Sequence, residues 1–192
     1  MILATAYFPP IEFFACLAEN SVVYLEAHEH YRKQSWRNRC RILSANGPLD
    51  LRVPVRHVND LFHTPVKNVP VDYSTPWVAQ TEYAIESAYY SSPFFLYYRD
   101  ELFSILDSGP QTLWELNLRI IEFFCGKIGI NPSIVPTDHY MGELHDIHPK
   151  LESSYSCREY WQVFRDKFGF VPGLSVMDLL FNEGPESLCY LF

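Results

Sequence analysis

The stretch RCRILSANGPLDLRVPV, residues 39–55, constrains the fold more than any other, because Asn-Gly between two alternating apolar runs is a strong short-range signal for a β-hairpin. With Asn46-Gly47 as a two-residue type I′ loop, Ala45 faces Pro48, and the ladder pairs Leu43 with Asp50, Arg41 with Arg52, Arg39 with Pro54 and Arg37 with Arg56. Side chains alternate between sheet faces, so all of these share one face, while Cys40, Ile42, Leu49, Leu51, Val53 and Val55 form an apolar face that must pack on the core. The first face then gathers five arginines around the single carboxylate of Asp50. Like charges placed opposite each other cost about 0.2–1 kcal/mol per pair, so an anion is expected to compensate.

That charge is local. Five of the fifteen Lys and Arg residues lie between Arg32 and Arg41, where there is no Asp or Glu, yet the whole chain carries 23 acidic residues and a formal net charge of -8. A nucleic-acid binder needs a broad basic face, which this balance argues against; one anionic small ligand suits it better. The start MILATAYFPPIEFF has no basic segment, early Pro9-Pro10 and no small-residue cleavage site, so no secretory signal is expected. There is no uninterrupted apolar run of ~18 residues that would suggest a membrane span, and a cytoplasmic location follows as the expectation. The five cysteines are widely spaced without CxxC, which fits free buried thiols rather than a disulfide framework or a zinc site.

The remaining pattern predicts one α/β domain over residues 1–192. Met1–Phe8 reads as a strand, Ile11–Glu19 as a helix after Pro9-Pro10, and SVVYLEA as a second strand, which together make a right-handed parallel crossover. KNVPVDY is a weaker strand candidate. Helices are expected over Trp77–Tyr89, from Ser92-Pro93 to Asp107, over Leu113–Lys127 with Thr112 and Glu115 as capping box, from Ser156 to Gly169, and from Ser175 through Phe181. INPSIVPT is a short strand candidate, and Asp138–Ser154 reads as a surface loop. The expected architecture is a mixed sheet, built from the N-terminal strand–helix–strand unit and the basic hairpin, with several helices packed over it in the C-terminal half.

YRKQSWRNRCRI, the NG that follows and LRVPV resemble the signature block of the WbqC-like protein family. The likeness continues at AYFPPIEFF, ESAYYSSPFF, LWELNL and YWQVFRDKFGFVPGLSVMDLLFNEGP, and is strongest to the Bacteroidetes-type branch. Family members are often encoded among genes for O-antigen and other surface polysaccharides, so the resemblance implies a role in making or modifying an activated sugar. Many members carry Gln-Pro where this chain has Ala4-Thr5, which removes one candidate ligand contact. The positions carried over are Tyr7, Pro9, Asn38, Arg39, Gly47, Glu86, Tyr89, Ser175, Asp178 and Asn182.

Residues and resemblance together give a candidate site. Arg37, Arg39, Arg41 and Lys33 are expected to hold the anionic part of a sugar nucleotide or sugar phosphate, with Asn38 and Tyr7 orienting it. His28 and Glu29 follow the second strand, the usual ligand-binding end of an α/β sheet, and are candidates for proton transfer together with Glu86. His145 and His148 are spaced for a metal on a helix, but Gly142 and Pro149 disfavour a helix there, so no metal site is expected. No GxGxxG, Walker A, GxSxG or HExxH is present, and no cofactor is indicated. Two functions compete: a transferase of surface-glycan precursors, in which Asn38, Arg39 and one of His28, Glu29 and Glu86 converge on a cleft, and a non-catalytic module binding an anion or a partner through a shallow arginine face.

Overall fold

The computed structural model describes residues 1–56, 61–151, 153 and 155–192. In chain order its elements are β1 (Ile2–Ala4), α1 (Ile11–Glu19), β2 (Val22–Glu26), β3 (Arg39–Ser44), β4 (Gly47–Arg52), α2 (Trp77–Tyr89), α3 (Phe95–Asp107), α4 (Leu113–Ile128), β5 (Ser133–Pro136), α5 (Arg165–Phe168) and α6 (Val176–Glu183). The α/β class is as expected, with the two kinds of strand pairing divided between two sheets. β1, β2 and β5 form a parallel sheet in that order, and β3 with β4 forms a separate antiparallel ribbon.

β1, α1 and β2 make the expected parallel crossover, with Ile2 beside Tyr24 and Ala4 beside Glu26. The first strand is shorter than Met1–Phe8. Beyond Ala4 the Tyr7 N–H donates to the Trp36 carbonyl at 2.8 Å, and Phe8 takes a positive φ of 41°, which turns the chain through Pro9-Pro10 into α1. The positions that leave the ladder stay buried, so their apolar character reflected the core rather than strand pairing. INPSIVPT supplies β5, which adds to the open side of β2 with Val22 beside Ser133 and Leu25 beside Pro136. KNVPVDY makes only isolated bridges, Val71 to Val55 and Pro70 to Thr112.

The hairpin forms with a different register. Ser44 pairs with Gly47, Arg41 with Asp50 and Arg39 with Arg52, so the loop residues are Ala45-Asn46. A type I′ loop needs positive φ at both central residues, and here only Gly47 has it, at 105°, as in a turn closed by a glycine bulge. The shift is two residues, so alternation keeps its parity: Cys40, Ile42, Leu51 and Val53 are buried, whereas Val55 is half-buried and Leu49, expected to pack on the core with them, is exposed next to the turn. What changes is charge. Arg41 now faces a carboxylate instead of Arg52, and Arg37 lies before the ladder in a short 3-10 turn, Trp36–Asn38.

α4 carries its predicted stripe, Leu113, Leu116, Ile120 and Phe124, all fully buried, and its cap is as read: the Glu115 N–H donates to Thr112 Oγ1 at 3.2 Å. Ser175 Oγ likewise accepts from the Met177 N–H at the start of α6. The helix expected from Ser156 reduces to the four residues of α5. Its N-terminal part is held open by Gln162, whose side chain bonds both the N–H and the carbonyl of Val171, and whose amide reaches Asp178 at 2.9 Å. Of the loop expected over Asp138–Ser154, residues 152 and 154 lie outside the described residues.

The hairpin gives a direct test. A Cβ at position 47 would meet only Phe168, at 3.9 Å, so Gly47→Ala acts through backbone strain at positive φ and should lower the unfolding free energy by about 1–2 kcal/mol. Asn46→Ala, at a position without positive φ, should change it by less than about 0.5 kcal/mol in the same urea titration.

Candidate functional site

The carboxyl ends of β2 and β5 open into a cavity of about 530 Å³ lined by His28, Glu29, His30, Tyr31, Arg32, Tyr140, Gly142, Leu144 and Asp146. Parallel strands deliver their chain exits to one edge, which is why residues more than a hundred positions apart meet here. Glu26, the last residue of β2, is fully buried and joins the two walls: Oε1 accepts from the His28 N–H at 2.8 Å and from the Thr137 hydroxyl at 2.9 Å, and Oε2 from the Met141 N–H at 2.9 Å. Burial alone would raise the Glu26 carboxyl, but these hydrogen bonds outweigh it and hold it below the ordinary carboxylate value.

The floor is a chain of charges that runs from the interior to solvent. Arg37 grips Glu29 with two parallel bonds, Nε to Oε1 at 3.0 Å and Nη2 to Oε2 at 2.7 Å, and both side chains are almost wholly buried. Arg37 Nη1 reaches Asp146 at 3.3 Å, and the other oxygen of Asp146 holds the exposed Arg32 at 2.9 Å. The Arg37 carbonyl accepts from Asn117 on α4 at 2.9 Å, which ties this chain to the helical layer. Burial weakens the Arg37 cation, yet Glu29 and Asp146 more than offset that and raise its pKa. Burial also pushes the Glu29 carboxyl up in spite of Arg37, while the two parallel bonds are the geometry of a guanidinium held by a carboxylate.

Next to the cavity, Lys67 Nζ lies 3.1 Å from Nε2 of the lining residue His28. An ammonium has donors only, so in this contact Lys67 is the donor. His30 packs edge-on against His63, ring centroids 5.5 Å apart. The cavity thus combines cationic donors, two imidazoles and the aromatic surfaces of Tyr31 and Tyr140.

The structure brings together some of the sequence-predicted residues and separates others. His28 and Glu29 line the cavity, and Arg37 stands behind it, inside the fold instead of on the hairpin face. Arg41 is bound to Asp50 at 2.8 Å and sits over the Trp36 ring; Arg39 is 3.7 Å from the same carboxylate. Asn38 donates to the Val53 carbonyl at 2.9 Å, a structural bond across the start of the ribbon. Tyr7 is fully buried in the core, and Lys33 is exposed beside Arg32. Glu86 is on α2, 3.5 Å from Arg99, and does not line the cavity. His145 uses its backbone N–H to bond the Ile2 carbonyl, and His148 Nδ1 accepts from the Lys150 N–H. Arg32, Lys67, Glu26, Tyr140 and Asp146 were not singled out beforehand; no local motif marks Asp146, which reaches Arg37 only because β5 carries its loop to the edge of β2.

Of the positions carried over from the resemblance, Asp178 forms a separate buried centre. Its Oδ2 accepts from the Tyr160 hydroxyl at 2.7 Å and from Gln162 at 2.9 Å. Burial raises its carboxyl to about 6 in spite of both donors.

These features define an α/β protein with a cavity at the carboxyl edge of a parallel sheet, next to a network of buried ion pairs. The chain belongs to the WbqC-like protein family, whose match spans residues 5–148 and so takes in α1, β2, the hairpin and every residue lining the cavity. It is also similar to the uncharacterized protein Rv1507c of Mycobacterium tuberculosis, 27% identical over 225 aligned positions that cover 99% of this chain and 96% of that one. No solved structure matches the chain.

Two measurements follow. Arg37→Met leaves Glu29 buried without its cation and should cost roughly 3–5 kcal/mol in a urea titration, whereas combining it with Glu29→Leu should restore much of the loss. For Asp178, whose folded pKa is raised, the contribution to stability is full below about pH 4 and is lost as pH rises through about 6. The unfolding free energy of wild type minus that of Asp178→Asn should therefore fall by roughly 3 kcal/mol from about pH 4 to about pH 7, each tenfold change in proton affinity being worth ~1.4 kcal/mol.

Proposed function

We propose that the protein is a cytoplasmic enzyme of surface-polysaccharide precursor biosynthesis, which transfers a group to a phosphate-bearing amino sugar bound in the cavity at the carboxyl edge of the parallel sheet. The observation that carries this reading is the convergence of Arg32, His28 with its partner Lys67, and His30 on one cavity of about 530 Å³, a size suited to a sugar and its phosphate. Family membership supports it through the polysaccharide context of WbqC-like proteins. Arg32 supplies a forked donor at the solvent end, and Lys67 a point charge. A phosphate reaching Lys67 would draw the ammonium away from His28 Nε2 and leave that lone pair free to accept a proton from the attacking group. Glu29 stays an orienting anion, since both its oxygens are engaged by Arg37.

That engagement also favours a second reading, a non-catalytic binding module, because, of the two carboxylates lining the cavity, Glu29 is held by Arg37 and Asp146 by Arg37 and Arg32. The two differ in His28. Calorimetric titration with UDP-N-acetylglucosamine should show binding that weakens roughly tenfold or more in Arg32→Ala and in Lys67→Ala, with Glu86→Ala unchanged. No binding to wild type, or binding indifferent to Arg32 and Lys67, would count against both readings. If His28→Ala retains binding but loses turnover of the sugar in cell extract, the enzyme holds; if the wild-type extract shows no His28-dependent turnover, the binding module does.

A further inference from the structure

The hairpin keeps an unbalanced charge that the cavity does not use. Arg39 and Arg52 are directly opposite in the ladder, and the nearest carboxylate, Asp50, is already held by Arg41 through bonds of 2.8 and 3.4 Å. Asp50 lies 3.7 Å from Arg39, beyond hydrogen-bond distance, and the buried Nε of Arg39 has no partner. Arg52 is exposed and makes no hydrogen bond or ion pair among the described residues. Two arginines therefore share one carboxylate and, among the described residues, Arg52 has none, in a chain whose formal net charge is -8.

Beside Arg52 the ribbon and α2 enclose a surface groove of about 380 Å³, lined by Asp50, Leu51, Arg52, Trp77, Gln80 and Thr81. Trp77 and Thr81 are the i and i+4 positions of the first turns of α2, and Gln80 at i+3 is exposed alongside them. Trp77 is only 3% exposed, yet its indole N–H has no acceptor. α2 has no acidic residue in its first turn, and Pro76 offers no side-chain cap, so the positive end of a 13-residue helix is not neutralised there. The Arg52 cation and the Gln80 amide lie along the same groove, with Trp77 in its wall, and Asp50 is the only acid among its lining residues.

We infer that the groove between the β3–β4 ribbon and α2 is an anion-binding site, separate from the cavity, that takes a phosphate-class group on Arg52 and Gln80. Arg39 contributes charge from behind, and Asp50, neutralised by Arg41, sets the edge of the site. A phosphate there offsets the repulsion between Arg39 and Arg52 and gives Arg52 the bidentate acceptor it lacks.

Inorganic pyrophosphate is the probe, titrated calorimetrically into the full chain. Arg52→Ala and Gln80→Glu replace exposed side chains and leave the fold intact, which circular dichroism verifies. Each should weaken one binding event roughly tenfold or more. The Arg32→Ala/Lys67→Ala double variant, which removes cations from the cavity, should keep that event. Asp50→Asn, which removes the competing carboxylate, should strengthen it several-fold. The inference is overturned if wild type binds no pyrophosphate, if Arg52→Ala and Gln80→Glu titrate like wild type, or if all binding disappears in the cavity double variant.

Discussion

The buried pair of Arg37 and Glu29 is the contact on which the site depends, and its position explains why so much else is arranged around it. An ion pair taken out of water is tolerated only when its remaining hydrogen-bonding capacity is filled, and here Asp146 fills the outer guanidinium nitrogen while Asn117 binds the Arg37 carbonyl. Glu29 comes from the exit of β2, Arg37 from the turn before the ribbon, Asp146 from the loop after β5, and Asn117 from α4. Arg37 thus ties the parallel sheet and the loop after β5 through its guanidinium, and the helical layer through its backbone carbonyl. The cavity is the space left on the solvent side of that junction.

Glu26 does related work with neutral donors. Its carboxylate ties the exit of β2 to the Thr137 hydroxyl and the Met141 N–H, which brings the loop bearing Tyr140, Gly142, Leu144 and Asp146 over the sheet edge. A second network, Asp178 with Tyr160 and Gln162, organises the C-terminal segment beyond the family match. There the cost of burying a carboxylate is partly met by two donors, both from the non-helical stretch before α5. The same chemistry, a buried acid recruiting distant donors, therefore shapes both ends of the fold.

The arginine run illustrates how far local reading reaches. Alternation placed Arg39, Arg41 and Arg52 on one face correctly, because a two-residue change in register preserves parity. It did not give the partners across the ladder, since these depend on whether Asn46 or only Gly47 adopts positive φ, and that choice is made by the packed ribbon. Arg37 shows the larger limit. In sequence it belongs to the same basic stretch, but the chain turns at Trp36–Asn38 and sends it inward to a carboxylate eight residues earlier and another 109 residues later. Lys67 and Asp146 carry no local signal for the same reason.

By itself the sequence determined what is set within a few residues or by simple periodicity: the α/β crossover, the hairpin and its two faces, the stripe and cap of α4, and the strand-end position of His28 and Glu29. It also carried the signature of the WbqC-like family. Tertiary structure alone decided which charges are spent on each other and which remain for a ligand. Charge pairing is a matter of a few ångströms across segments far apart in the chain, and only the docking of β5 on β2 and of the ribbon on α2 sets those distances.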